Sequence, residues 1–169
     1  MTDQTPAVYL SHPPAALLRI ANPLLAALLR TRLPFPMRDD LMVVTVAGRK
    51  TGRTYTIPLS AHFIDGALYA ITTAPWKYNF RDGATAQVLS DGTTTTMHGE
   101  LITDPNVVAD LSHRASQSYG VKRAQSMLGV KFRDKRIPSL QEFAEAAARV
   151  LAYLNRPDFG DNPVADVRD

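Results

Sequence analysis

The residues best equipped for chemistry stand together at Gly48-Arg49-Lys50-Thr51-Gly52-Arg53, between two runs rich in β-branched side chains. A turn of this composition gathers backbone N–H groups, a hydroxyl and three cations. Phosphate uses all of these donors, through charge-assisted hydrogen bonds. A solvated hairpin tip of the same composition is the alternative. The pattern is neither a Walker loop nor a dinucleotide-binding glycine motif. Tyr119, His62 and Tyr78 are of types that can donate a proton, and each also reads as an ordinary core or rim residue. His12, His62, His98 and His113 lie far apart without paired ligand spacing, so no metal is expected. The lack of cysteine excludes disulfides, thiolate catalysis and cysteine-ligated metals.

The elements that must position this turn follow from pattern. Residues 41–46 and 54–57 read as strands, the second continuing toward Ile64, with Pro58 marking an edge or a bulge. Asp65-Gly66 signals a tight turn into a third strand at 67–73, and 74–80 reads as a short helix or turn ending near Asp82-Gly83. A fourth strand at 84–90 turns at Asp91-Gly92 into a fifth at 93–102. Upstream, leucines at helical spacing over 15–32 make an apolar stripe interrupted at Asn22-Pro23, where Asn22 would cap a second short helix. The stripe is too short to span a bilayer. Arg19, Arg30 and Arg32 flank it, so it suits a membrane surface, the cover of a core or a dimer partner. Leu33-Pro34-Phe35-Pro36 is a stiff linker.

Downstream, Asp104-Pro105 opens a helix with Val107, Val108, Leu111 and Ala115 on one face, stopping near Gly120. Residues 122–136 read as basic and irregular, with a short strand near 128–132. Ser139 and Glu142 form a capping box, and Leu140, Phe143, Ala147, Val150 or Leu151, and Leu154 continue at helical spacing toward Pro157. Residues 1–14 lack the basic leading region of a secretory signal and are expected to be flexible, as is the acidic tail 157–169.

With 169 residues, 45% of them hydrophobic and 21% charged, the chain is sized for one domain over 1–169 with a sizeable core. A net charge of +3 suits an anionic ligand or surface, but the basic residues are too scattered for dedicated nucleic-acid binding. Short strands joined by hairpins, with helices at the ends, predict an α+β domain on a closed or nearly closed antiparallel barrel.

The order of these parts carries a resemblance. An amphipathic helix, Thr45-x-x-Gly48-Arg49-Lys50-Thr51-Gly52, Pro58-Leu59, Asp65-Gly66 and Trp76-x-x-Asn79 together resemble the deazaflavin-dependent nitroreductase and quinone reductase family, over residues 15–102. The resemblance implies a split β-barrel of about six strands with an N-terminal amphipathic helix and flanking helices. It implies that Arg49, Lys50, Thr51 and Gly52 hold the phosphate and polyglutamate arm of coenzyme F-420. Thr56, Ile57, Pro58, Leu59 and Ser60, with Thr72, Thr73 and Ala74, would lie along the deazaflavin ring, Tyr55 would be a further cofactor contact, and Trp76 and Asn79 would close the site. It also implies a final barrel strand at 150–154 after a helix ending near 147. Two departures stand out: Tyr55 replaces an arginine usual in relatives, and the loop before Trp76 is only Ala74-Pro75. The implied activity is hydride transfer from the reduced coenzyme to a hydrophobic quinone, nitro compound or unsaturated lipid, in the cytoplasm or at the inner face of the membrane, with a homodimer compatible. Two alternatives stay open: an FMN-dependent oxidoreductase of the same barrel, and a non-catalytic carrier of fatty acids or other hydrophobic anions.

Overall fold

A computed structural model of the protein describes residues 5–11, 15–31 and 37–154. Its elements run β1 (Val8–Leu10), α1 (Ala15–Arg30), a 3-10 turn (Arg38–Asp40), β2 (Leu41–Ala47), β3 (Thr54–Ser60), β4 (His62–Ile64), β5 (Ala67–Tyr69), a 3-10 helix (Pro75–Phe80), β6 (Ala84–Ser90), β7 (Thr93–Gly99), α2 (Pro105–Tyr119), α3 (Val121–Leu128), β8 (Val130–Phe132) and α4 (Leu140–Leu154). These form two compact units, Pro13–Leu101 and the remainder, each with its own core. His12, the 33–36 linker and the 157–169 tail lie outside the described residues.

In the Pro13–Leu101 unit, β2 is an inner strand of an antiparallel sheet ordered β3-β2-β6-β7. Side chains alternate across a strand, and β2 uses both faces. Met42, Val44 and Val46 meet Tyr55, Ile57 and Leu59 of β3 and Ala86 and Val88 of β6, with Trp76 and Phe80 packed against them. On the other face Val43 is covered by Ala26 and Leu29 of α1. Helix α1 is continuous, so the break expected at Asn22-Pro23 is absent. Pro23 forfeits one helical hydrogen bond, at about 3 kcal/mol. Burial of Leu29 contributes about 1.5–3 kcal/mol, and Leu25 and Ala26 add to it, enough to offset the lost bond.

Asp65-Gly66 and Asp91-Gly92 are two-residue turns with positive φ at both positions, the geometry that matches strand twist. They fix Ile64 opposite Ala67 and Ser90 opposite Thr93. The third and fifth strands are shorter than their sequence spans: β5 stops at Tyr69, and β7 at Gly99. Among the described residues β3 and β7 do not pair, so hydrogen bonding does not close the sheet into a barrel. The fold is α+β with several antiparallel sheets.

In the other unit β1 pairs with β8, so 8–10, inside the stretch expected to be flexible, is ordered as a strand. Asp104 caps α2 by accepting the Asn106 N–H at 2.8 Å, and Gly120 ends it, as the sequence indicates. The irregular stretch expected from residue 122 is instead α3, which buries Ala124 and Met127 one turn apart and stops at left-handed Gly129. The capping box is formed: the Glu142 N–H donates to Ser139 Oγ at 3.2 Å, and Glu142 Oε2 accepts the Ser139 N–H at 2.7 Å. From that start the alanine-rich 144–148 carries helix α4 through 154. The final strand implied at 150–154 is therefore not formed. Phe132 and Phe143 meet edge to face at 6.0 Å in this core.

Candidate functional site

The basic turn is the six-residue connection of the β2–β3 hairpin, whose last pair is Ala47 with Thr54. Its backbone is largely satisfied from within. The Gly48 N–H donates to the Arg53 carbonyl at 2.7 Å and the Gly52 N–H to the Gly48 carbonyl at 2.8 Å. The Arg53 N–H donates to Thr51 Oγ1 at 3.3 Å. The Arg49 N–H donates to Asn79 Oδ1 at 3.0 Å. The sequence suggests a turn rich in available N–H groups, but these bonds leave only those of Lys50 and Thr51. An anion at this turn would meet mainly side chains.

Two features lock the hairpin in place. Gly48 is buried under Tyr55, and a Cβ there would come 2.6 Å from the ring's Cε2. The 3-10 helix Pro75–Phe80 supplies Asn79, and it is seated by Phe80, whose ring lies where a Cβ on Gly99 would be. The Phe80 carbonyl accepts the Leu101 N–H at 3.1 Å. Trp76 meets Phe80 edge to face at 6.1 Å and packs on the same core as Tyr55, Ile57 and Leu59. It is only partly buried.

The charged groups around this junction are mostly cationic. Arg49, Lys50 and Arg53 lie in the turn, and Lys77 and Arg81 lie on and just after the 3-10 helix. One carboxylate offsets them: Asp82 Oδ2 accepts from Arg49 Nη2 at 2.5 Å, with both side chains substantially exposed. The Lys77 Nζ and the Arg81 guanidinium lie 5.5 and 5.2 Å from the Tyr78 ring centre, a cation on either side in sequence. Lys77 is partly buried, and loss of solvent lowers the pKa of its ammonium.

Of the expected site residues, Arg49 and Asn79 are joined directly. Thr56 lies on the opposite face from the aromatic-rich core, its Oγ1 3.4 Å from that of Thr45. Pro58 is buried in β3, and Ser60 ends it opposite Leu41. Thr72, Thr73 and Ala74 lie beyond the end of β5, in a loop where Thr72 Oγ1 accepts the Ala74 N–H at 3.0 Å. Tyr119 belongs to the other unit, where the Arg123 guanidinium lies 5.2 Å from its ring. His62 is wholly buried in β4, and burial holds its pKa down at about 4, so it is neutral at pH 7. Asp82 and Arg81 are functional candidates that the sequence does not single out. Asp82-Gly83 carries a turn signal that masks its carboxylate. Comparison with protein-family models, curated proteins and solved structures finds no match to the chain.

Proposed function

We propose that the hairpin unit is a split-barrel oxidoreductase that binds coenzyme F-420 and passes a hydride to a hydrophobic acceptor of the quinone, nitro-compound or unsaturated-lipid class. The observation that carries the reading is the Arg49–Asn79 hydrogen bond. It ties together two residues, 30 positions apart, that the resemblance to deazaflavin-dependent reductases assigns to one cofactor site. The residues present fit the coenzyme's phosphate: Lys50 and Thr51 are exposed on the turn with unspent N–H groups, and Arg49 and Arg53 flank them. Arg49 and Lys50 would hold the phosphate, Asn79 would keep the turn's backbone in place, and Tyr78 would offer an aromatic face beside it. A reduced deazaflavin would supply the hydride, and the chain would supply orientation and charge. Exposed Leu24 and Leu28 on α1 suit an apolar acceptor or a membrane surface on the cytoplasmic side.

The test is direct. The protein is titrated with F-420 and with FMN, each followed by fluorescence, and oxidation of reduced F-420 is then monitored with and without a quinone. Saturable F-420 binding and quinone-dependent oxidation are expected. Binding of FMN alone would move the protein to the flavin class, and indifference to both would leave a hydrophobic-anion carrier.

A further inference from the structure

The four-stranded sheet has two edges of different character. The outer strand β3 carries Pro58, a residue that cannot donate to a further strand. The other edge, β7, has no such guard. Thr93–Gly99 contains four threonines, a methionine, a histidine and a glycine, with no formally charged side chain. Every residue from 93 to 98 is exposed, so neither face of the strand is covered, and among the described residues its outer side pairs with nothing. Seven regular residues with one edge open and no charge, proline or bulge form a template for strand addition.

The register of the hairpin decides which backbone groups face outward. Ser90 and Thr93 flank a two-residue turn, so they exchange both hydrogen bonds of a closely bonded pair. Alternation then directs the N–H and C=O groups of Thr93, Thr95, Met97 and Gly99 to β6. Those of Thr94, Thr96 and His98 point to the open edge.

We propose that β7 pairs antiparallel with β7 of a second copy of this chain, across a two-fold axis at Thr96. A two-fold axis normal to an antiparallel sheet must place a residue opposite itself, because adjacent pairs alternate in bonding type. Thr96 is the middle of the seven-residue strand, so this axis alone pairs its whole length. It sets Thr96 opposite Thr96 of the second copy and Thr94 opposite His98, all residues whose backbone groups face outward and exchange two bonds per pair. Glu100 falls opposite Gly92, so no two like charges meet. The pairing consumes the same edge in both copies and therefore closes at two. This inference stands apart from the cofactor reading, since none of the phosphate-turn residues takes part.

The chain lacks cysteine, so single cysteines report the register directly. Full-length wild-type protein should sediment at twice its 18.6 kDa chain mass. Thr96→Pro should give a monomer with an unchanged circular dichroism spectrum, because the N–H it removes points away from β6. Under mild oxidation Thr96→Cys should become a disulfide-linked dimer, its Cα atoms being about 5.5 Å apart. Thr93→Cys should not cross-link, because the two copies of residue 93 lie six residues apart along the strand, about 20 Å. A monomeric wild type, a dimer that survives Thr96→Pro, or cross-linking of Thr93→Cys as readily as Thr96→Cys would each overturn the proposal.

Discussion

Asp82 is paired with the Arg49 guanidinium, so a phosphate must compete with it for that cation, and replacing it should tighten anion binding. The ion pair is short, 2.5 Å, but its side chains are 46% and 72% exposed. An exposed pair of this kind is worth only about 0.2–1 kcal/mol. A phosphate that takes over the Arg49 guanidinium must first forgo that amount. Asp82→Asn therefore raises affinity by a factor of about 1.5–5, at 1.4 kcal/mol per tenfold. Removing a carboxylate near an incoming anion acts in the same direction, and the gain should shrink as salt screens exposed charges. Titration with F-420, and separately with inorganic pyrophosphate, measures the change. The Asn substitution keeps a neutral acceptor near the guanidinium, so the hairpin should remain in place. On an Arg49→Ala background the Asp82→Asn gain should shrink to the part that comes from relieved repulsion of the anion, and a double-mutant cycle makes the coupling explicit. Weaker binding in Asp82→Asn, or an equal gain with and without Arg49, would refute the idea that Asp82 competes for that guanidinium.

Two further outcomes test the fold that holds the site. His62 is neutral when folded, with a pKa of about 4 against 6.5 when unfolded, so the unfolded chain binds more protons in that interval. Its contribution is fully present above pH 6.5 and is lost as pH falls toward 4, of order 3 kcal/mol in all; urea midpoints at pH 7.5 and 5 should show the loss, and a flat profile would contradict it. Glu142, held down to about pKa 2 by Arg136 and the Ser139 cap, weakens the fold only below pH 4.5 and so leaves that window to His62. Gly48→Ala forces Tyr55 off the hairpin and should cost about 1–3 kcal/mol by overpacking, read as a lower urea midpoint.

What the sequence displays most openly is local geometry written in a few adjacent residues. Asp65-Gly66 and Asp91-Gly92 announce their turns because few residue pairs accept positive φ twice in succession. Ser139 with Glu142, and Asp104 before Pro105, announce helix starts through hydrogen bonds that span two or three residues. The elements that escape notice depend on distant partners. The three-residue β1 exists because residues 130–132 lie beside it, and nothing in Val8-Tyr9-Leu10 names them. Helix α3 hides in a basic stretch because it needs only Ala124 and Met127 to reach the core. At Val150-Leu151-Ala152-Tyr153-Leu154 the helical spacing argues for a helix, and only the resemblance implies a strand. The capped, alanine-rich helix entering that segment continues through it. In the site, the cations of the turn are plain in the sequence. Their restraint by Asn79 and Asp82, 30 and 33 residues away, is a tertiary fact.

The affinity of Arg49→Ala for F-420 decides whether the Arg49/Lys50/Thr51 turn holds the coenzyme's phosphate, as proposed. Charge-assisted hydrogen bonds contribute about 1.5–3 kcal/mol each. Fluorescence titration should therefore show at least tenfold weaker binding than wild type, with the melting temperature lowered little because the Arg49–Asp82 pair is exposed. An affinity equal to that of the wild type would remove the turn from the site.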